Sequence, residues 1–186
     1  MLDAIERNPE LQRITRRACV ENQAEVEICP ELLVGDDLND LLIKILKVDD
    51  YYNTRDFGMP PKAIDCLIVV KCTSGSFELT LIELRDVKAT QGVKPRDILE
   101  KFRSTFERFL AEDFLDVFGN LDYEISQIRA WLVSDPFRAL SDEEYRRKVR
   151  GTVLDTFQSE KPFEFRQHRV TITPLRLCPK PKVCTC

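Results

Sequence analysis

Long hydrophobic runs are missing from this sequence. No stretch approaches the ~20 consecutive apolar residues that span a bilayer. With 32% of its 186 residues charged, the chain is expected to hold no membrane-spanning helix and to have no membrane partner. The first thirty residues carry Asp3, Glu6, Arg7, Glu10, Arg13, Arg16 and Arg17 and no apolar h-region, so a secretory signal peptide is not expected. Histidine is almost absent: His168 stands alone, which excludes an HExxH metal motif and leaves no Ser-His-Asp arrangement to assign. Glycine is scarce, at six residues, and none forms a phosphate loop or a dinucleotide-binding fingerprint. No internal repeat or low-complexity segment occurs.

What is present is enough for a core. Apolar residues make up 43% of the chain, and the length suits one domain over residues 1–186. The net charge of −4 argues against a general nucleic-acid coat protein but leaves room for a local basic groove. Seven cysteines is an odd count, read here as mostly buried free thiols in a reducing, cytoplasmic setting. Cys178, Cys184 and Cys186 offer three soft ligands with His168 upstream, at spacings looser than structural zinc sites use.

Periodicity then gives the elements. Asn8-Pro9 with Leu11, Ile14 and Ala18 predicts a helix over about 9–22, followed by an extended piece before Pro30. Leu38, Leu41, Leu42, Ile45 and Leu46 follow the i, i+3, i+4, i+7, i+8 rule and predict a helix over 36–47. Residues 50–55 read as a short strand. Residues 64–72 are nearly all apolar, as a strand covered on both faces should be. Gly75 lies in the loop to a second strand, 77–88, and so short a connection makes the two an antiparallel hairpin. A long helix over about 96–118 places Ile98, Phe102, Phe106, Phe109 and Phe114 on one side. A strand over 124–134 follows, and the helical crossover makes it parallel to a core strand. Ser141 with Glu144 forms a capping box opening a helix over 142–157. A strand over 163–173 and an irregular proline-containing tail complete the chain.

The hairpin concentrates the charged residues of interest. In the strand 77–88, Leu79, Leu81, Glu83 and Arg85 share a face. Glu83 is embedded in apolar neighbours, and Asp65 opens the strand before it. Antiparallel pairing brings Asp65 towards Glu83 and Arg85. Two carboxylates and a cation at a sheet edge suit a hard divalent ion and a phosphodiester. A buried pair that serves only the fold is the competing reading of the same residues.

The order helix, strand, strand with Asp65, strand with Glu83-Leu84-Arg85, long helix and strand 124–134 resembles the core of the PD-(D/E)xK nuclease superfamily over residues 36–134. The resemblance implies an α/β, restriction-endonuclease-like core. That core is a central mixed sheet flanked by helices, extended by an N-terminal helix and, over 135–186, a helix–strand piece. It implies Asp65 and Glu83 as ligands of Mg²⁺ or Mn²⁺, with either Asp37 or Asp40 as the further acid that the family carries on its first helix. Pro60 and Pro61 stand four and five residues before Asp65, looser than the motif. Arg85 occupies the place of the motif lysine. Arginine is wide and permanently protonated, so it can pair with phosphate but cannot act as a base. The implied activity is Mg²⁺-dependent cleavage of DNA, slowed by Arg85, with a catalytically degenerate binding subunit as the alternative. Asp86-Val87-Lys88 is a second acid-x-lysine triplet, and a bulge near Arg85 could bring Lys88 into the site.

Lys88, Lys94, Arg96 and Lys101 are expected to meet the nucleic-acid backbone around the start of the long helix. Arg146, Arg147, Lys148 and Arg150 follow Asp142, Glu143 and Glu144 and read as a salt-bridged surface. The phenylalanines of the long helix offer a surface for a homodimer, although the core also needs them.

Overall fold

A computed structural model describes residues 1–54, 58–87 and 89–186. Two short helices open the chain, α1 (Leu2–Arg7) and α2 (Pro9–Ile14). Short strands follow: β1 (Thr15–Arg16), β2 (Cys19–Glu21), β3 (Ala24–Ile28), β4 (Leu33–Val34) and β5 (Asp37–Leu38). Strand β6 (Ile43–Lys47) runs directly into helix α3 (Val48–Asn53). The hairpin is β7 (Cys66–Lys71) and β8 (Phe77–Arg85). The long helix begins as α4 (Pro95–Ser104), widens to π geometry over Thr105–Asp113 and, after Phe114, ends as α5 (Leu115–Phe118). Strand β9 (Ile125–Ser134), helices α6 (Asp142–Val149) and α7 (Val153–Ser159), and strands β10 (Phe163–Phe165), β11 (His168–Val170), β12 (Ile172–Leu175) and β13 (Lys182–Val183) complete the chain.

The central sheet is mixed, in the order β1-β6-β7-β8-β9-β12. β7 lies between β6 and β8 and is antiparallel to both, with Cys66 opposite Ile82 and Lys47 opposite Cys66. β8 and β9 are parallel, as a helical crossover requires. Period-2 alternation sends Leu67, Val69, Leu79 and Leu81 to one face, and Cys66, Ile68, Val70, Ile82 and Leu84 to the other. The first face carries the buried side chains of all seven helices, including Phe102, Phe106, Phe109, Phe114 and Phe118. The second is covered by the β2–β3 hairpin, the β4–β5 pair and the C-terminal tail through Val183.

Several expectations are corrected. The helix expected over 9–22 stops at Ile14, because Thr15 and Arg16 pair with Leu46 and Ile45 at the sheet edge. The helix expected over 36–47 is not formed. Ile43 and Ile45 fill one core and Leu46 the other, so the apolar residues are those of a strand covered on both faces. The strand expected over 50–55 is helical through Asn53, with Arg55 outside the described residues. β8 ends at Arg85 rather than at 88. The helix 142–157 is two helices, separated where Gly151 takes φ +71° and Thr152 caps α7. Ser141 does accept the Glu144 N–H, but Glu144 accepts from Leu140 instead of Ser141. The strand 163–173 is a hairpin plus β12, and β12 joins the central sheet instead of standing outside it.

The thiols are also corrected. Cys19–Cys66, Cys29–Cys184 and Cys72–Cys186 are disulfide pairs, which leaves Cys178 free and exposed. Their partners lie 47, 155 and 114 residues apart, distances that no local pattern reveals. The phenylalanine face expected to serve a homodimer is spent inside the core, where each ring is at most 2% exposed. Among the described residues no helix is long and apolar enough to cross a membrane.

A buried carboxylate and lysine cluster at the sheet end

Asp65 and Glu83 meet where β7 begins and β8 ends. Both project to the helical face, as the alternation with Leu67 and Leu81 requires. Glu83 is fully buried and Asp65 is 5% exposed. Asp65 Oδ2 accepts the Leu84 N–H at 2.6 Å, which ties the carboxylate to the neighbouring strand.

The ammonium of Lys101 joins the two acids. Its Nζ is 2.8 and 2.9 Å from the Glu83 oxygens and 3.7 Å from Asp65 Oδ1. Lys101 lies three residues after Ile98 and four before Thr105, both buried, so its stem runs along the inner stripe of the helix. Thr105 fixes that turn. Its hydroxyl donates to the Lys101 carbonyl at 2.8 Å and accepts the Ile64 N–H, one residue before Asp65, at 3.3 Å. Arg85 Nη2 holds Glu83 from the outer side at 2.7 Å, with 37% of the side chain exposed.

A second half of the cluster comes from the β6–α3 junction. Lys47 Nζ reaches Glu21 at 3.1 Å, Asp49 at 3.7 Å and Asp65 at 3.9 Å. The backbone secures this approach, since Val48 N–H donates to the Asp65 carbonyl at 3.1 Å. Four carboxylates (Glu21, Asp49, Asp65, Glu83) therefore face three cations (Lys47, Arg85, Lys101), and the negative sign prevails.

The protonation equilibria show the same imbalance. Burial, and then the charge of Asp65, push Glu83 up to about 7 despite Lys101 and Arg85. Burial likewise raises Asp49 to about 6, with Lys47 opposing and Asp65 reinforcing. Burial alone would lower Lys47, but Asp65, Asp49 and Glu21 together outweigh it and raise its pKa.

The residues expected at the site divide accordingly. Asp65, Glu83 and Arg85 are brought together. Lys101, expected to face nucleic acid, turns inward onto both carboxylates. Lys94 and Arg96 are exposed around the first turn of α4, where they can meet a phosphate. Lys88 lies outside the described residues. Neither Asp37 nor Asp40, the candidates for a further acid, joins the cluster. Asp37 sits exposed in β5, and Asp40 pairs with Lys44 and Arg17 instead. Asp49, absent from the sequence expectations, stands on the helix that does precede β7. Lys47 and Glu21 were also missed, because their place depends on strand register rather than on any motif. His168 Nε2–H donates to the Ile125 carbonyl, 2.9 Å away, and among the described residues joins no candidate metal-ligand group with the tail cysteines.

The donor chemistry suits a hard cation. Among the described residues, the three-ligand groups compact enough for one ion are Cys29–Glu31–Cys184 and Cys72–Glu78–Cys186, whose thiols are disulfide-bonded. Asp65 and Glu83 are instead two carboxylates on adjacent strands, both facing the ammonium of Lys101. Comparison of the chain with family models, with curated proteins and with solved structures finds no match in any of the three.

Proposed function

We propose that the chain is a Mg²⁺- or Mn²⁺-dependent phosphodiesterase acting on DNA, built on a restriction-endonuclease-like core. The observation that carries the reading is the single ammonium of Lys101 shared by Asp65 and Glu83 on adjacent strands. The order β6, β7, β8, long helix and parallel β9 supports the resemblance, although the expected helix before the first strand is not formed and α3 stands instead between β6 and β7.

Asp65 and Glu83 would hold the cation, which would supply charge to a phosphate and acidity to a water. Lys101 supplies the compact ammonium that Arg85 cannot, so the departure at position 85 does not leave the site without a lysine. Lys101 would orient a water beside Glu83. Arg85 keeps one nitrogen on Glu83 and offers its exposed portion to a phosphate oxygen. Lys94 and Arg96 extend the contact along the backbone.

One specific observation favours the degenerate alternative, a subunit that binds nucleic acid or a protein without cutting. Lys101 and Arg85 already occupy Glu83. The two readings separate in calorimetric Mn²⁺ titration joined to Mg²⁺-dependent plasmid nicking. Asp65→Asn is the informative variant, because its amide oxygen can still accept the Leu84 N–H. Wild type is expected to bind Mn²⁺ at least tenfold more tightly than Asp65→Asn and to nick DNA, with Glu83→Ala silent. Equal affinities, or no binding by wild type, would remove the metal site. Binding without nicking would select the degenerate subunit.

A further inference from the structure

The face of the central sheet opposite the helices is covered by pieces too short to hold it alone. β2, β3, β4, β5 and β13 have three, five, two, two and two residues. None of the buried side chains of α1–α7 contributes to this side. The disulfides close a circuit through the layer. Cys66 at the start of β7 holds Cys19 of β2, and Cys29 just after β3 holds Cys184 of the tail. Cys186 of the tail then returns to Cys72 just after β7. The layer is thus fastened to the sheet at both ends of one strand. The layer also packs Ala24, Val26, Leu32, Leu38 and Val183 into one apolar cluster with the sheet, and within it the β3–β13 ladder is flanked by the surface pairs Lys180–Glu25 and Lys182–Glu27, which are individually weak in water.

The circuit passes beside the carboxylate cluster. Cys66 follows Asp65 directly in the chain. Cys19 and Glu21 belong to the same three-residue strand, and Glu21 holds Lys47 at 3.1 Å while Asp65 lies 3.9 Å from that ammonium. Lys47 is 13% exposed under this cover.

We propose that the disulfide-fastened layer is a redox-controlled cover of Lys47, beside the Asp65–Glu83 pair, released when a dithiol reductant opens the three bonds. Each opening takes two electrons and two protons from the dithiol, which becomes a disulfide, and leaves two cysteine thiols in the chain. Release withdraws Glu21 from Lys47. The freed ammonium moves onto Asp65, one of the two carboxylates that would hold a divalent cation, so reduction switches the site off. This last step rests on the proposed cation site; release of the layer does not.

The experiment compares oxidised protein with protein reduced in place by dithiothreitol. Three measurements run in parallel: amide hydrogen exchange, acylation of lysines by an N-hydroxysuccinimide acetate read by mass spectrometry, and Mn²⁺ titration. Reduction is expected to raise exchange at least tenfold over residues 19–28 and 182–186, while the amides of β7, β8 and α4 stay protected. Acylation of Lys47 is expected to rise at least fivefold, and Mn²⁺ affinity to fall about tenfold. Cys19→Ser in otherwise oxidised protein should raise exchange in β2 and acylation of Lys47, with the tail still held. Unchanged exchange and acylation on reduction would overturn the cover. Protection lost evenly across the whole chain would overturn it too, by showing that the disulfides hold the global fold. Absence of Mn²⁺ binding in both states would refute the cation site and leave the cover to be judged on exchange and acylation. Loosening with unchanged Mn²⁺ affinity would overturn the switch.

Discussion

Replacing Glu83 by glutamine should change how stability depends on pH more than it changes stability itself. Glu83 is fully buried, and its carboxyl is raised from 4.5 to about 7 by burial and by Asp65. A raised folded-state value means that the native protein keeps, between about pH 4.5 and 7, a proton the unfolded chain has released. Stability must therefore fall as pH rises through that window and level off above it. At ~1.4 kcal/mol per pKa unit, the span from 4.5 to about 7 is worth roughly 3 kcal/mol. For a chain of 186 residues that corresponds to a Tm lower by roughly 6–12 °C at pH 8 than at pH 5. Asp49, raised from 3.8 to about 6, adds a slope of the same sign. The assay is urea and thermal unfolding of the oxidised protein at pH 5, 6, 7 and 8, for wild type and Glu83→Gln. The variant should keep the Asp49 part of the slope and lose the rest. A wild type equally stable across the range, or a variant with the full slope, would refute the claim that burial outweighs Lys101 and Arg85 at this carboxylate.

Lys101→Met strips one of two cations from a buried acid and should cost about 3 kcal/mol, the lower end for breaking a buried pair, because Arg85 remains. It should also abolish DNA nicking, whereas Arg85→Lys should change nicking less than threefold; the reverse ranking in a plasmid assay would return the lysine role to position 85. Phe109→Ala empties a fully buried site where the ring meets Tyr51 and Phe114 at centroid distances of 5.6 and 4.8 Å. A loss of about 3–5 kcal/mol in chemical denaturation is expected, and a loss below 1 kcal/mol would show that the aromatic cluster closes over the gap.

The hairpin was the legible part of the sequence. A short glycine loop between two apolar runs leaves few alternatives, and period 2 then assigned Asp65, Glu83 and Arg85 to one face. The segment 36–47 was misread because Ile43, Ile45 and Leu46 satisfy a helical stripe as well as a doubly covered strand. Only the neighbours on both faces, Ile68 on one side and Leu67 on the other, decide between them. Asp49 was not singled out, because the segment just after it was read as a strand, whereas Asp49 lies in the first turn of helix α3. Lys101 was visible as a charge but not as an inward one. The signal was its spacing from Ile98 and Thr105, the inner stripe of its own helix. The disulfides were beyond reach, because partners up to 155 residues apart leave no local mark.

The whole of the Asp65, Glu83, Arg85 and Lys101 constellation lies within residues 65–101, and its links span short stretches of chain, 19 residues from Asp65 to Leu84 and 18 from Glu83 to Lys101. The pairing of β8 with β9 must instead close about 50 residues, as between Glu78 and Arg129. Low contact order favours early formation. The cluster can therefore assemble as a local nucleus before the parallel strand arrives. Its residues would then carry high φ-values, and substitutions there would register on the folding arm of a denaturant chevron rather than on the unfolding arm. The same buried charges that define the site would set how fast the chain finds its fold.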